Sequence, residues 1–219
     1  MILFRLPIIL MLLLIGGCAT TSQPVKSSSR FSAAAPRSIL IVPVANQSVD
    51  IAAPDYFLST ITVPLAEKGY YVFPVHMVKR VLEDDGLADA NLVHAAPAEK
   101  LGKLFGADAI LYVTIENWDA KYYVLSTTVT IQLSYTIKDG RTGETLWKQR
   151  KRMVYRPQNA STGNGIADLV AMAVTAAVTK MAPNYMPLAR QANNSAFAYP
   201  GPGIPPGPYA LDLSATAAK

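Results

Sequence analysis

The sequence predicts a single α/β domain of three-layer character, with a central mixed β-sheet that carries one long antiparallel hairpin and is flanked by helices. Three observations predict it. Two segments, SILIVPV (38–44) and ADAILYVTIENW (107–118), are continuous apolar runs, the pattern of strands covered on both faces. The stretches between them place apolar residues at helical spacing, and strands alternating with helices call for a sheet with helices packed on it. From residue 123 the period changes to two. Tyr123, Leu125, Val129, Ile131, Leu133, Tyr135 and Ile137 fall on one face, and Ser126, Thr128, Thr130, Gln132, Ser134 and Thr136 on the other. That is a long half-exposed antiparallel strand. KDGRTGET (138–145), with two glycines, then turns the chain into a returning partner, LWKQRKRMVY (146–155).

The elements follow in order. After 38–44 a helix starts at Pro54, proline being suited to a first turn, with Phe57, Leu58, Ile61 and Leu65 along one side and Gly69 at its end. Pro64 falls inside it and is expected to bend or interrupt it. YYVF (70–73) reads as a short strand, and Pro74 opens a second helix with Val75, Val78, Val81 and Leu82 at helical spacing. A third helix begins near Pro97, groups Leu101, Leu104 and Phe105, and stops at Gly106. Beyond the hairpin, a last helix over about 164–181 is expected to bury Ile166, Leu169, Val170, Ala173, Ala177 and Met181. The globular domain is therefore placed at 38–185, followed by a Pro/Gly-rich tail over 186–219. Five prolines and three glycines between residues 199 and 209 exclude a helix or interior strand there, and leave a polyproline-like tail, either solvated or laid along a partner.

The amino-terminal segment MILFRLPIILMLLLIGG (1–17) has one positive charge at Arg5, an apolar run over 6–15 and two glycines before Cys18, the only cysteine in 219 residues. A bilayer crossing needs about 20 apolar residues, so this run has the build of a secretion signal instead. Ile15, Gly16, Gly17 and Cys18 resemble the lipobox of bacterial lipoproteins. The resemblance implies cleavage before Cys18, diacylglycerol joined to its sulfur, and a further acyl chain on its new amino group. On that reading residues 1–17 are a signal peptide and 18–37, rich in Ser, Thr, Ala and Pro, a lipidated flexible tether. More than one acyl chain anchors stably, and no thiol remains for a disulfide. In such lipoproteins Asp after the acylated cysteine implies retention at the inner membrane. Ala19 stands here, which implies the outer membrane, with the domain facing the periplasm or the cell surface.

YFLSTITVPLAEKGYYVFPV (56–75), KLFGADAILYVTIENWDAKY (103–122) and DGRTGETLW (139–147) together resemble a family of bacterial lipoproteins whose best-known member is a genome-derived neisserial surface antigen. The G-A-D-A-I-L and T-G-E-T-L-W phrases are also similar to the curli-secretion lipoprotein and to the amino-terminal domain of TolB. These resemblances imply an α/β fold with a central mixed sheet, and work by assembly and contact in the cell envelope. They bring no catalytic residues.

The residues themselves show no catalytic or metal constellation. His76 and His94 lie 18 residues apart without a ligand-spaced neighbour, short of the three or four ligands a zinc site takes. Glu83, Asp84 and Asp85 before Gly86 lack the alternate spacing of a calcium loop. STGNGIAD (161–168) holds Gly163 and Gly165 but not a dinucleotide fingerprint, and Ser126 and Ser134 sit in no nucleophile elbow. Only a cluster assembled by folding, such as His76 or His94 beside Asp84 and Asp108, would support an enzyme. No metal or cofactor beyond the covalent lipid on Cys18 is expected.

The most informative polar feature is KQRKR, in which Lys148, Arg150, Lys151 and Arg152 follow Trp147 on the returning strand. One reading is an edge strand protected by charge against sheet-to-sheet association. The other is an interaction patch for anionic headgroups or an acidic partner, with Trp147 at its border. The formal charge of +5, one unit of which leaves with Arg5, is only mildly basic, and nucleic acid is excluded as partner for an exported, lipid-anchored chain. The expected function is a non-catalytic assembly component of an envelope secretion or transport complex. Its partners would be the membrane and other envelope lipoproteins or transport proteins, and a homo-oligomer fits the same reading. The alternative is a ligand-binding accessory for lipid, peptide or glycan transport, which calls for a deep apolar pocket.

Overall fold

In a computed structural model the chain is described at residues 26–123, 126–155, 186–198 and 201–210. Helix α1 (Lys26–Ala34) precedes strand β1 (Ser38–Ile41) and the short β2 (Ala45–Asn46). Helix α2 (Ala53–Glu67), strand β3 (Tyr71–Val72) and helices α3 (Val75–Asp84), α4 (Ala90–Ala95) and α5 (Ala98–Phe105) follow. The long strands β4 (Ala109–Tyr123), β5 (Ser126–Asp139) and β6 (Thr145–Tyr155) come next, then helix α6 (Met186–Phe197). The sheet runs β3-β1-β4-β5-β6, with β2 also on β4. Strands β1, β2 and β3 are parallel to their neighbours, whereas β4–β5 and β5–β6 are antiparallel, so the sheet is mixed as expected.

Alternating residues of the parallel strands feed two cores, which is why β1 and β4 read as unbroken apolar runs. Ile39, Ile41, Leu111 and Val113 join Phe57, Ile61 and Leu65 of α2 on one side. Leu40, Val42, Ile110 and Tyr112 join Val78 and Leu82 of α3, Val93 of α4 and Leu101 of α5 on the other. Strand β5 contributes only to the first core. Its Ile131, Leu133, Tyr135 and Ile137 are fully buried, while Gln132, Ser134 and Thr136 stay partly exposed on the opposite face.

Helix α2 runs through Pro64 without interruption, and its buried face contains Phe57, Ile61, Pro64 and Leu65. Helix α5 ends at Gly106, whose φ of +66° is the left-handed conformation that suits a helix terminus. Gly102 of α5 lies flat on Gly140 of the β5–β6 turn, so that a Cβ at residue 102 would run into the Gly140 carbonyl. Gly102→Ala is expected to cost about 1–3 kcal/mol as overpacking. Urea denaturation against the unmodified protein checks it.

Two boundaries differ from the sequence expectation. The tether assigned to 18–37 is helical over Lys26–Ala34, and Phe31 is 1% exposed, edge-on to Tyr70 with ring centroids 6.0 Å apart. One large apolar side chain in KSSSRFSAA is a weak periodic signal, and its burial depends on a cleft made by residues far along the chain. The region assigned to a tail from residue 186 likewise opens with α6. This helix buries Leu188, Ala189, Ala192, Asn193, Ala196 and Phe197, and it packs against α2 and β6. Three alanines and an asparagine make up most of that stripe, with Leu188 and Phe197 its only large apolar residues, so its periodic signal is weak. Residues 201–210 then form a strap over the base of the first core. The Trp147 Nε1–H donates to the Pro202 carbonyl at 2.7 Å, and the Tyr70 hydroxyl to that of Pro205 at 2.8 Å. Backbone bonds from Gly207 to Lys68 and from Tyr209 to Gly69 seat the strap's far end. The folded unit thus reaches beyond 38–185 at both ends. The helix expected over 164–181 and Cys18 lie outside the described residues.

Candidate interaction surface

Strand β6 stands at one end of the sheet order, opposite the β3 end. Its register on β5 assigns each side chain to a face, because cross-strand partners share one. Gln132, Ser134 and Thr136 pair with Arg152, Arg150 and Lys148, while Ile137, Tyr135 and Leu133 pair with Trp147, Gln149 and Lys151. The polar face of β5 therefore continues into an exposed row of Lys148, Arg150 and Arg152. Alternate residues of a strand lie about 6.8 Å apart, which spaces three cations along the sheet edge. Lys151 is half-buried and points to the other side, so the strand carries charge on both faces.

Trp147 is not at the border of this row. It is 0% exposed and stacks on Phe197 with centroids 5.4 Å apart and planes at 30°. Period-two alternation is the reason: pairing with the core residue Ile137 sends the indole inward, one position before the outward Lys148.

Arg150 is held by a residue that sequence reasoning missed. Its Nε and Nη2 donate to Glu116 Oε1 at 3.0 and 2.7 Å, and Gln132 Nε2 donates to the other carboxylate oxygen. Burial pulls the Glu116 pKa upward, but the hydrogen bonds from Gln132 and Arg150 and the arginine charge outweigh it and leave the pKa below the ordinary value. Glu116 reaches this face through a bulge, where the β4–β5 register shifts between Ile115 and Asn117. Two polar residues, Glu116 and Asn117, stand between the buried Ile115 and Trp118, and that break in the alternation is the signal that was available. Asp119, opposite Thr130, is the next acid along the same strand. Among the described residues no carboxylate lies within ion-pair distance of Lys148 or Arg152.

The histidines and carboxylates do not converge. His76 is exposed on α3, and Asp84 pairs with Arg80 at 3.3 Å. Asp108 accepts the backbone N–H groups of Arg37 and Ser38 at 2.9 and 3.1 Å, which ties the start of β1 to β4. His94 meets the Pro43 carbonyl through Nε2 at 3.0 Å and stands edge-on to Tyr112 at 5.3 Å. Burial lowers its pKa, the Pro43 contact opposes this, and the Lys138 charge adds to it. Lys138 Nζ sits 5.0 Å from the centroid of the Tyr112 ring, and burial followed by the Glu99 charge pushes the Tyr112 hydroxyl up to about 12. Among the described residues no group of three or more His, Cys, Asp or Glu is placed to hold a metal. A cavity of about 620 Å³ opens at the base, between α5, the start of β1 and the β5–β6 turn. Its Asp108 and Asp139 are occupied by backbone N–H groups, Asp139 accepting those of Arg141 and Thr142 at 2.8 and 2.9 Å.

Among the described residues the mixed sheet carries helices on both sides of its parallel half and leaves one polar face of its antiparallel half uncovered. The chain belongs to the GNA1162-like lipoprotein family, whose model matches residues 27–208. That match takes in α1 and most of the strap. A lipoprotein of Neisseria meningitidis serogroup B, NMB1124/NMB1162, is 32% identical over 170 residues, covering 78% of this chain and 77% of that protein. The crystal structure of lipoprotein GNA1162 from Neisseria meningitidis is similar with a TM-score of 0.54 and 34% identity, over 68% of this chain and 100% of that one. The C-terminal domain of LpoB from Salmonella enterica aligns with a TM-score of 0.39 and 18% identity, over 58% of this chain and 92% of that one. Among the described residues no helix is long and apolar enough to cross a membrane.

Proposed function

We propose that this protein is an outer-membrane lipoprotein, acylated on Cys18, whose domain acts without catalysis as an assembly component of an envelope secretion or transport complex. The observation that carries the reading is the lipoprotein-family match beginning at residue 27, nine residues after a cysteine in a lipobox-like setting. The anchor fixes the chain to the membrane by its own acyl chains, and the domain offers surfaces rather than a reaction centre. Outer-membrane placement rests on Ala19, rather than Asp, after Cys18. Kinship with the curli-secretion lipoprotein and with TolB, and self-association, belong to the same reading. It rests on the G-A-D-A-I-L and T-G-E-T-L-W phrases. The ligand-binding alternative calls for a deep apolar pocket, whereas the base cavity is open and rimmed by Arg37, Lys103, Asp108 and Arg141.

The test is chemical crosslinking in intact cells, followed by fractionation and intact-mass measurement of the purified protein. The expected result is a species that starts at Cys18, carries lipid mass, sediments with the outer membrane and is linked to other envelope proteins. A species starting at Met1, a processed chain without lipid, or one without crosslinked neighbours would overturn the corresponding part.

A further inference from the structure

Resting on that anchoring at Cys18, we infer that the β6 edge is a second membrane contact, with Lys148 and Arg152 meeting the anionic headgroups of the leaflet that holds the acyl chains. Three observations lead there. First, the cations are presented and unspent. Lys148 and Arg152 are exposed, flank Arg150 on one face of an edge strand, and face no carboxylate within reach among the described residues. Arg150 is partly neutralised by Glu116, which leaves the two outer positions as the active ones.

Second, the chain path brings this edge close to the anchor. Helix α1 packs on β6, and Arg30 pairs with Glu144 beside the start of β6 at 3.7 Å. Lys26 is only eight residue steps from Cys18. At about 3.6 Å per residue they reach no more than about 30 Å. The helical α1 thus removes half the length a tether over 18–37 would have had, and holds β6 near the surface.

Third, the kind of partner follows from availability. A tethered domain meets its membrane at a high effective concentration, whereas a soluble acidic protein must arrive by diffusion. Attraction between basic side chains and anionic lipid acts within a Debye length of about 8–10 Å, a gap that so short a tether closes repeatedly. Like charges along the edge also oppose β6-to-β6 pairing of two copies.

The experiment uses the mature chain with Cys18→Ala, so that no acyl chain contributes. It measures cosedimentation with vesicles of phosphatidylcholine alone and of phosphatidylcholine with one third phosphatidylglycerol, at low and high salt. The expected result is binding to the anionic vesicles alone that weakens with salt and falls roughly 30-fold in Lys148→Gln/Arg152→Gln, two surface cations removed. Thermal melting of the double variant should match the parent, because both side chains are exposed. Equal binding to the two kinds of vesicle, no binding to either, or unchanged binding of the double variant would overturn the inference. Because the probe protein is unacylated, its behaviour is independent of the mass test at Cys18, and either can fail without the other.

Discussion

Trp147→Ala is expected to lower the unfolding free energy by about 3–5 kcal/mol, the range for deleting a fully buried large aromatic side chain. In a domain of this size that corresponds to a fall in melting temperature of roughly 10 °C. Two kinds of contact are lost together. The indole stacks on Phe197, and both rings meet Tyr135, at 6.3 and 5.6 Å between centroids. Its N–H also holds the Pro202 carbonyl, the first fixed point of the strap. The alanine variant therefore empties the space between β6 and α6 and frees the strap at one end. Trp147→Phe separates the two effects: it keeps most of the packing and forfeits the hydrogen bond, worth about 0.5–1.5 kcal/mol. Protease cleavage within 201–210 should rise in both variants, and more in the alanine one. A Trp147→Ala protein as stable as its parent would show that the indole is not a core residue.

Asn193→Ala is expected to cost about 2–4 kcal/mol, an effect out of proportion to the few atoms removed. Asn193 is 0% exposed and joins three elements: the Tyr135 hydroxyl of β5 donates to its Oδ1 at 2.7 Å, and its Nδ2 donates to Thr60 Oγ1 of α2 at 3.0 Å. Thr60 Oγ1 in turn donates to the Phe57 carbonyl at 2.8 Å. Burial raises the Tyr135 pKa, so the phenol remains a neutral donor that needs an acceptor. Removing the amide orphans that hydroxyl, which costs about 1–3 kcal/mol, and leaves a small void besides. Tyr135→Phe alone also leaves an unpaired oxygen, this time on Asn193. The pair of replacements Tyr135→Phe with Asn193→Leu removes both ends of the bond, and should recover part of the loss. A double-mutant cycle by chemical denaturation measures the coupling, and strict additivity would sink the account.

Much of this architecture was legible from periodicity. Strands β1 and β4, the β5–β6 hairpin and helices α2, α3 and α5 follow from apolar spacing and from prolines and glycines at their ends. Each buries side chains apolar enough to show in a local window. Helices α1 and α6 were not legible. Phe31 is one large apolar residue in KSSSRFSAA, and the α6 face sets only Leu188 and Phe197 beside three alanines and Asn193. Those residues are buried because α2, β6 and the strap surround them, not because their own segments are strongly apolar. The prolines of the strap mark it as extended, but its destination depends on two hydrogen-bond donors distant in sequence: Tyr70 lies 135 residues from its acceptor Pro205, and Trp147 lies 55 residues from Pro202.

For the interaction surface, the row of cations was visible in KQRKR, and its split into outward and inward positions was implied by alternation. Which set points outward was not. By itself the sequence determined the mixed α/β class, the two-residue period of the hairpin and the charge carried by its last strand, because these depend on neighbouring residues alone. The tertiary structure decided that Lys148, Arg150 and Arg152 face solvent while Trp147 faces Phe197, and that Glu116 takes up one of the three cations. An alternating strand offers two faces of equal standing, and only the helices and the strap that cover one of them distinguish the inside from the outside.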